Sequence, residues 1–182
     1  MITHLSERSE LPTYDVVIPA MLEHGMRNLR SQCKLTPGIP LKPMLAKPTK
    51  AIGEVLTRFE GKTFTCEYKY DGERAQVHLL PDGKVAVFSR NSEDMSKKYP
   101  DLVEQLPRCI KEGTKSFVLD AEAVAVDKTT GALLPFQELS KRKRKEVKVE
   151  DIQVKVCLFG FDLLYLNGEV SMGCFGSHRR LC

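Results

Sequence analysis

Residues 63–74 read Thr-Phe-Thr-Cys-Glu-Tyr-Lys-Tyr-Asp-Gly-Glu-Arg, and this stretch decides how the rest of the chain is interpreted. Side chains alternate between the two faces of a β-strand. A strand here would place Glu67, Lys69 and Asp71 in one polar row at its end. The opposite row would be apolar, with Phe64, Cys66, Tyr68 and Tyr70. Asp71 and Gly72 would then form a tight turn that favours positive φ.

Lys69 is a candidate covalent nucleophile because a strand end would hold its amine between two carboxylates. A lysine ammonium must lose a proton before it can attack, and nearby cations or burial favour that loss. Carboxylates oppose the loss, although they can hold the amine in place. The alternative is an ordinary solvated Asp-Gly hairpin, which the short motif alone favours.

The composition is that of an ordinary globular domain, with 42% hydrophobic and 29% charged residues among 182. The formal net charge of +4 permits a polyanionic partner without requiring one. No apolar stretch approaches the roughly 18 residues that span a membrane. Six cysteines form no Cys-x-x-Cys pair, which argues against zinc. Cys66 and Cys157 lie in strand patterns and are expected to be buried free thiols of an intracellular protein.

The apolar pattern predicts helices over 15–29, 51–59 and 100–110, the last interrupted at Pro107. It predicts strands over 63–71, 73–80, 84–90, 117–126 and 153–166. Prolines indicate an extended linker over 36–48, and residues 1–35 are too few to bury a core alone. Consecutive strands with short turns, and helices between groups of strands, predict an α+β fold with a largely antiparallel sheet.

Four further residues could carry chemistry beside the lysine. Arg74 and Arg90 lie near turns and suit phosphate or ribose contacts, with a solvated arginine as the alternative. Asp120 and Glu122 share one face of an otherwise apolar strand, where isolated carboxylates are costly. Glu122 is expected to serve a hard cation such as Mg²⁺ or a ribose, or else to form a structural ion pair.

Two aromatic residues and one basic run complete the candidates. Phe159 and Phe161 share a face of an apolar strand, and either could stack on a base, although aromatic residues in such strands are usually core. The run over 141–145 contains five consecutive cations, which favours a solvated loop. A nuclear import signal or a nucleic-acid patch is the functional alternative.

Several of these segments, in this order, resemble motifs of the ATP-dependent DNA ligases, most closely of the eukaryotic replicative type. Segment 37–46 (Pro-Gly-Ile-Pro-Leu-Lys-Pro-Met-Leu-Ala) is similar to the family's junction between DNA-binding and adenylation domains. The family's adenylation motif is similar to residues 67–74. Its next motifs are similar to residues 88–91, 120–124 and 161–169. The resemblance covers about residues 14–169 and implies a nucleotidyltransferase domain of the ligase and mRNA-capping type.

The resemblance implies a role for each candidate residue. Lys69 would attack the α-phosphate of ATP, forming lysyl-AMP and releasing pyrophosphate. The AMP would pass to the 5′-phosphate of nicked double-stranded DNA in the nucleus, where a 3′-hydroxyl displaces it. Five other residues would hold the nucleotide or its metal: Glu67 at the adenine amino group, Arg74 and Arg90 at ribose and phosphates, Glu122 at ribose and Mg²⁺, and Phe161 on the adenine ring.

The resemblance also implies a division of the chain. Residues 1–41 would end a helical DNA-binding domain, 42–169 would begin the adenylation domain, and 170–182 would be a divergent tail. The family's Glu-Gly-x-x-x-Lys motif, later lysine pair and OB-fold domain are not found here. The chain is therefore expected to be a truncated, poorly active, monomeric ligase without membrane association. The alternatives are an mRNA-capping guanylyltransferase, which shares Lys-x-Asp-Gly, and a non-catalytic isoform that binds DNA or partners.

Overall fold

The computed structural model describes residues 14–29, 33–43, 48–64, 66–142 and 149–170. Within these ranges the α-helices are α1 (Tyr14–His24), α2 (Ile52–Arg58) and α3 (Pro100–Cys109). Short 3₁₀ helices cover Met26–Asn28, Phe136–Lys141 and Val149–Asp151. The strands are β1 (Glu73–Leu79), β2 (Val85–Phe88), β3 (Phe117–Val126), β4 (Lys155–Leu166) and β5 (Glu169–Val170).

The strands form one five-stranded sheet in the order β2-β1-β3-β4-β5, and every neighbouring pair is antiparallel. Four of the predicted strands are confirmed as β1 to β4, with bounds within two residues. The α+β prediction is confirmed as well. The register between β3 and β4 shifts near Asp120, where Phe161 is left as an extra residue between two paired positions.

One face of the sheet packs against helix α3. Alternate residues of β1 supply Ala75, Val77 and Leu79 to this core, together with the fully buried Tyr99. Leu102, Val103 and Leu106 of α3 pack against the same cluster. The helix is amphipathic, so its apolar side covers this face, while Glu104 and Arg108 lie in solvent.

The other face of the sheet carries polar side chains and is covered by residues 33–43, called here the junction segment. Leu35 and Leu41 of this segment are buried against Val118 of β3. Arg74, Gln76 and His78 alternate with the core residues along β1 and therefore point to the junction side. Gln76 and His78 are buried.

The predicted strand over 63–71 is wrong for its described residues, because 66–70 belong to no strand. A long hairpin across Asp71-Gly72 would require a free edge along β1, but Gln76–Leu79 of β1 is already paired with β2 on one side and β3 on the other. The expected apolar face is also wrong, since the Tyr68 side chain is 90% exposed and Phe64 is exposed as well. Local alternation could not reveal that β2 occupies the edge of β1 over Gln76–Leu79.

Three smaller expectations are also wrong. Helix α3 runs through Pro107 to Cys109 without interruption; the proline lacks its own N–H, and only two helical residues follow it, so little helix depends on the lost bond. Cys66 and Cys157 are free thiols as expected, but both are exposed. The first helix ends at His24, and no helix in the described part of the chain is long and apolar enough to cross a membrane.

Candidate active site

Gly72 fits where a larger residue could not, because its backbone lies directly against strand β3. A Cβ atom at this position would clash with the carbonyl oxygen of Ala123 and come within 2.9 Å of Glu122 Cγ. Its φ angle is not in the positive region, so the predicted positive-φ turn is wrong. The glycine is needed for close approach of two backbones, which brings the chain after Lys69 against Glu122.

The segment that carries Lys69 has no strand ladder, and the residues that follow it attach it to the fold. The Tyr70 ring stacks on Phe159 of β4, with centroids 3.9 Å apart and planes 16° from parallel. Asp71 Oδ2 accepts a hydrogen bond from the Phe136 backbone N–H at 3.1 Å. These attachments fix the backbone on the C-terminal side of the lysine.

Glu73, at the start of β1, extends this attachment to the helix side of the sheet. Its carboxylate forms an ion pair with Lys98 and accepts a hydrogen bond from the Tyr99 hydroxyl at 2.5 Å. Burial raises the pKa of Tyr99, so the hydroxyl stays protonated and remains a donor. A cavity of about 370 Å³ lies here, lined by Glu73 and Lys98, but the predicted site residues do not line it.

Glu122 faces the lysine from the middle of strand β3. Its carboxyl group is half-buried, and burial raises its pKa, while the positive charges of Lys69 and Arg74 act in the opposite direction. The register places Glu122 opposite Arg74 on β1 and opposite Phe159 on β4. Lys69 itself is exposed. The structure thus brings an accessible lysine, an arginine and a carboxyl group together.

Arg74 is held between a carboxylate and an aromatic ring. Its guanidinium forms an ion pair with Asp120, whose side chain is buried, and lies 5.6 Å from the centroid of the Phe161 ring. Asp162 lies nearby, and burial together with the charge of Asp120 raises its pKa. Of the two carboxylates predicted on β3, Asp120 forms the structural ion pair.

The remaining predicted residues lie at the same end of the sheet. Arg90 is exposed in the turn after β2, and Phe88 pairs with Gln76, so the turn continues in the direction of Arg74. The Ser89 hydroxyl shapes that turn by accepting from the backbone N–H groups of Asn91 and Glu93. Glu67 is exposed two residues before the lysine.

The described residues contain no cluster of three or more His, Cys, Asp or Glu side chains that could hold a metal ion alone. Magnesium does not require such a cluster, because proteins commonly bind it through one or two carboxylates together with substrate phosphates and water. The half-buried carboxyl of Glu122, near two cations that favour its charged form, fits that mode of binding.

Sequence reasoning missed several residues of this region. Gln76 and His78 gave a signal, since with Arg74 they make a polar stripe of period two in an otherwise apolar strand. No sequence pattern indicated the contact of Tyr70 with Phe159 or that of Phe136 with Asp71. Both depend on segments 65 or more residues apart meeting in the folded chain.

An α+β domain on an antiparallel sheet, with a lysine, an arginine and a carboxyl group gathered at one end, is the arrangement expected of a nucleotidyltransferase domain. The chain belongs to the family of ATP-dependent DNA ligase domains, whose family model matches residues 43–180. The predicted family resemblance is therefore confirmed.

Curated relatives agree with this assignment. The chain is 59% identical over 160 residues to DNA ligase 1 of Schizosaccharomyces pombe, covering 88% of this chain and 21% of that protein. It is 58% identical over 165 residues to DNA ligase 1 of Saccharomyces cerevisiae, with the same coverage of both chains. The chain thus spans about a fifth of the length of these relatives.

A solved structure described as mycobacterial DNA ligase D complexed with ATP and MES is also similar. The two chains share 32% identity, with a TM-score of 0.42, over 57% of this chain and 30% of the other. A TM-score this low adds nothing to the assignment, which depends on the family match.

Proposed function

We propose that this chain performs the lysyl-nucleotidylation step of an ATP-dependent DNA ligase, with Lys69 as the nucleophile. The neutral Nζ attacks the α-phosphorus of ATP, a P–N bond forms, the bond from the α-phosphorus to the bridging oxygen breaks, and pyrophosphate leaves. The amine proton passes to solvent. The observation that carries this proposal is the placement of exposed Lys69 three residues before Gly72, whose backbone lies against Glu122, with Arg74 opposite Glu122 in the sheet.

The neighbours of the lysine supply the other roles. We assign adenine stacking to Phe161, because Phe159 is already stacked on Tyr70. Phe161 is 37% exposed and has a guanidinium on one side. Arg74 and Arg90 hold ribose and phosphates, and Glu67 accepts a hydrogen bond from the adenine amino group.

Glu122 is the residue of this set that would hold Mg²⁺. A Mg²⁺ held there would neutralise charge that builds up on the phosphates as pyrophosphate departs. Glu122 also serves the ribose. Pyrophosphate release depends on positioning and charge stabilisation, so each cationic or metal contact contributes to the rate.

The later steps belong to the same proposal. AMP passes from Lys69 to the 5′-phosphate of a DNA nick, and the 3′-hydroxyl displaces AMP to seal the strand, in nuclear replication, repair and recombination. Residues 1–41 end a DNA-binding domain, and residues 42–169 form the first part of the adenylation domain. The sequence contains no Glu-Gly-x-x-x-Lys motif and no lysine after Lys155, so this monomeric chain alone seals nicks poorly.

The test is incubation of the 182-residue chain with Mg²⁺ and ATP labelled at the α-phosphate. We expect a covalent adduct that maps to Lys69 and is absent from Lys69→Arg, because arginine keeps its charge but is not a nucleophile at neutral pH. Lys62→Arg, an exposed lysine seven residues earlier, is the matched control and should be labelled normally. An adduct on the Lys69→Arg variant would contradict the assignment.

The same assay separates the alternatives. Labelling by GTP in place of ATP would favour a capping-type guanylyltransferase. Absence of any adduct, with salt-sensitive binding to DNA, would favour a non-catalytic binding isoform, because phosphate contacts made by basic residues weaken steeply as salt rises.

A further inference from the structure

A continuous series of hydrogen bonds, buried at its centre and half-buried at its ends, runs from the junction segment to Arg74. The Gly38 backbone N–H donates to His78 Nδ1 at 2.8 Å. His78 Nε2 lies 3.0 Å from Gln76 Oε1, and Gln76 Nε2 donates to Asp120 Oδ1 at 3.2 Å. Asp120 Oδ2 then accepts from the Arg74 guanidinium. Each member therefore contacts the next one across β1 and β3.

The protons in this series are fixed by its two ends. Because His78 Nδ1 accepts from Gly38, the ring hydrogen is on Nε2 and is donated to Gln76 Oε1. The same oxygen accepts from the Leu41 backbone N–H at 2.7 Å, so the Gln76 amide group must face Asp120 and the Leu41 carbonyl. Rotating the Gln76 amide by half a turn would oppose donor to donor at His78 and the Leu41 N–H, and acceptor to acceptor at Asp120 and the Leu41 carbonyl.

We infer that this series couples the position of the junction segment to the nucleotide site, with Gln76 and His78 as positioning residues for Arg74. The catalytic consequence rests on the proposed function, in which Arg74 contacts ATP. Withdrawing the junction segment removes two donors from the buried His78 and Gln76 groups. Their reorientation removes the Gln76 donor from Asp120, which then holds Arg74 less firmly.

The coupling is reciprocal. Anything that fixes Arg74 in its present position stabilises the docked junction segment by the same free energy. A nucleotide phosphate or ribose at Arg74 is one such group. The junction segment, which joins the two predicted domains, therefore responds to nucleotide bound near Lys69. The response passes through Asp120, Gln76 and His78, which need not touch ATP.

The structural test measures backbone amide hydrogen exchange at Gly38 and Leu41. We expect Asp120→Asn and Gln76→Met to accelerate exchange of both amides at least fivefold more than exchange in the β3–β4 ladder. Val77→Ala is the matched control, since Val77 is equally buried in β1 but faces helix α3. Val77→Ala should accelerate hydrogen exchange at Gly38 and Leu41 no more than exchange in the β3–β4 ladder. Unchanged exchange at both amides, or equal acceleration throughout the sheet, would overturn the inference.

The functional test uses the labelling assay with the same variants. Gln76→Met should raise the ATP concentration for half-maximal labelling about tenfold, the loss expected when a charged group loses one supporting hydrogen bond. The maximal rate should stay within about twofold, and Val77→Ala should match the wild type in both quantities. An unchanged half-maximal concentration would overturn the catalytic consequence. If the wild type is never labelled, the proposed function has failed and the exchange measurement alone decides the coupling.

Discussion

At the scale of single residues, Gly72 gives the sharpest steric prediction. Gly72→Ala should lower the free energy of unfolding by about 1–3 kcal/mol and abolish labelling of Lys69, because its Cβ would meet the β3 backbone, which cannot move aside. Thermal unfolding and labelling with ATP measure both effects. Gly53→Ala is the control, since α2 leaves open space there and alanine favours a helix. Normal labelling of the Gly72 variant would contradict the proposed close approach.

The two carboxylates on β3 should respond differently to removal. Glu122→Ala should slow labelling by about a hundredfold, as loss of one well-placed charge contact does, with little change in thermal stability. Its half-buried environment raises its pKa, so the fold gains little from its charge. Asp120→Ala should lower stability, since it leaves Arg74 without its ion-pair partner. Labelling rates over a Mg²⁺ titration and melting curves distinguish the two, and wild-type labelling of Glu122→Ala would refute the metal assignment.

At the scale of elements, one buried ion pair joins the 3₁₀ helix Phe136–Lys141 to helix α3. Arg142, whose side chain is 2% exposed, donates to Asp101 at 2.7 and 3.2 Å, and its guanidinium lies 4.8 Å from the Tyr99 ring centroid. The predicted basic run over 141–145 therefore begins as part of the folded structure. Residues 143–145 lie outside the described ranges.

Replacing only one partner of this ion pair should lower the stability of the fold strongly. Asp101→Asn should lower the free energy of unfolding by about 3–5 kcal/mol, because it leaves a buried arginine charge uncompensated. Replacing both partners, with Asp101→Leu and Arg142→Met together, should recover much of that loss. The exposed pair Arg108–Glu104 on the same helix is the control, and Glu104→Gln should cost less than about 1 kcal/mol in denaturant unfolding. Equal losses at the two pairs would contradict this account.

At the scale of the whole molecule, His78 should make the stability depend on pH. Burial lowers the pKa of His78 from 6.5 to about 4. The unfolded chain therefore binds this proton more tightly, so the contribution of neutral His78 is fully present above pH 6.5 and is lost as pH falls towards 4. Between pH 7 and 5 the loss is about 2 kcal/mol.

The measurement compares denaturant unfolding of the wild type and His78→Gln at pH 7 and pH 5. Glu122 and Asp162 have raised pKa values and act with the opposite sign, but they are common to both proteins. The difference between the two curves therefore isolates the histidine. The wild type should lose about 2 kcal/mol more than the variant over this interval. Parallel pH profiles would show that the histidine does not titrate as the structure indicates.

Local pattern predicted much of the architecture. Alternation along β1 and β3 requires two faces, and turn residues such as Pro81-Asp82-Gly83 separate consecutive strands, so four strands and the antiparallel character followed from the chain itself. The order of the motifs around Lys69 also sufficed to identify the family. These properties depend on residues that are neighbours in sequence, where spacing alone sets the direction of each side chain.

Only the tertiary structure decided how the segment around Lys69 is held and which side chains support Arg74. Alternation predicted a strand and a positive-φ turn there, whereas β1 is paired on both edges over Gln76–Leu79 and Gly72 instead makes room for β3. Likewise, the direct ion pair of Arg74 with Asp120, and not with Glu122, comes from strand pairing and side-chain packing 46 residues apart. Edge availability, close backbone approach and buried hydrogen-bond partners are properties of the assembled sheet, which short-range spacing cannot encode.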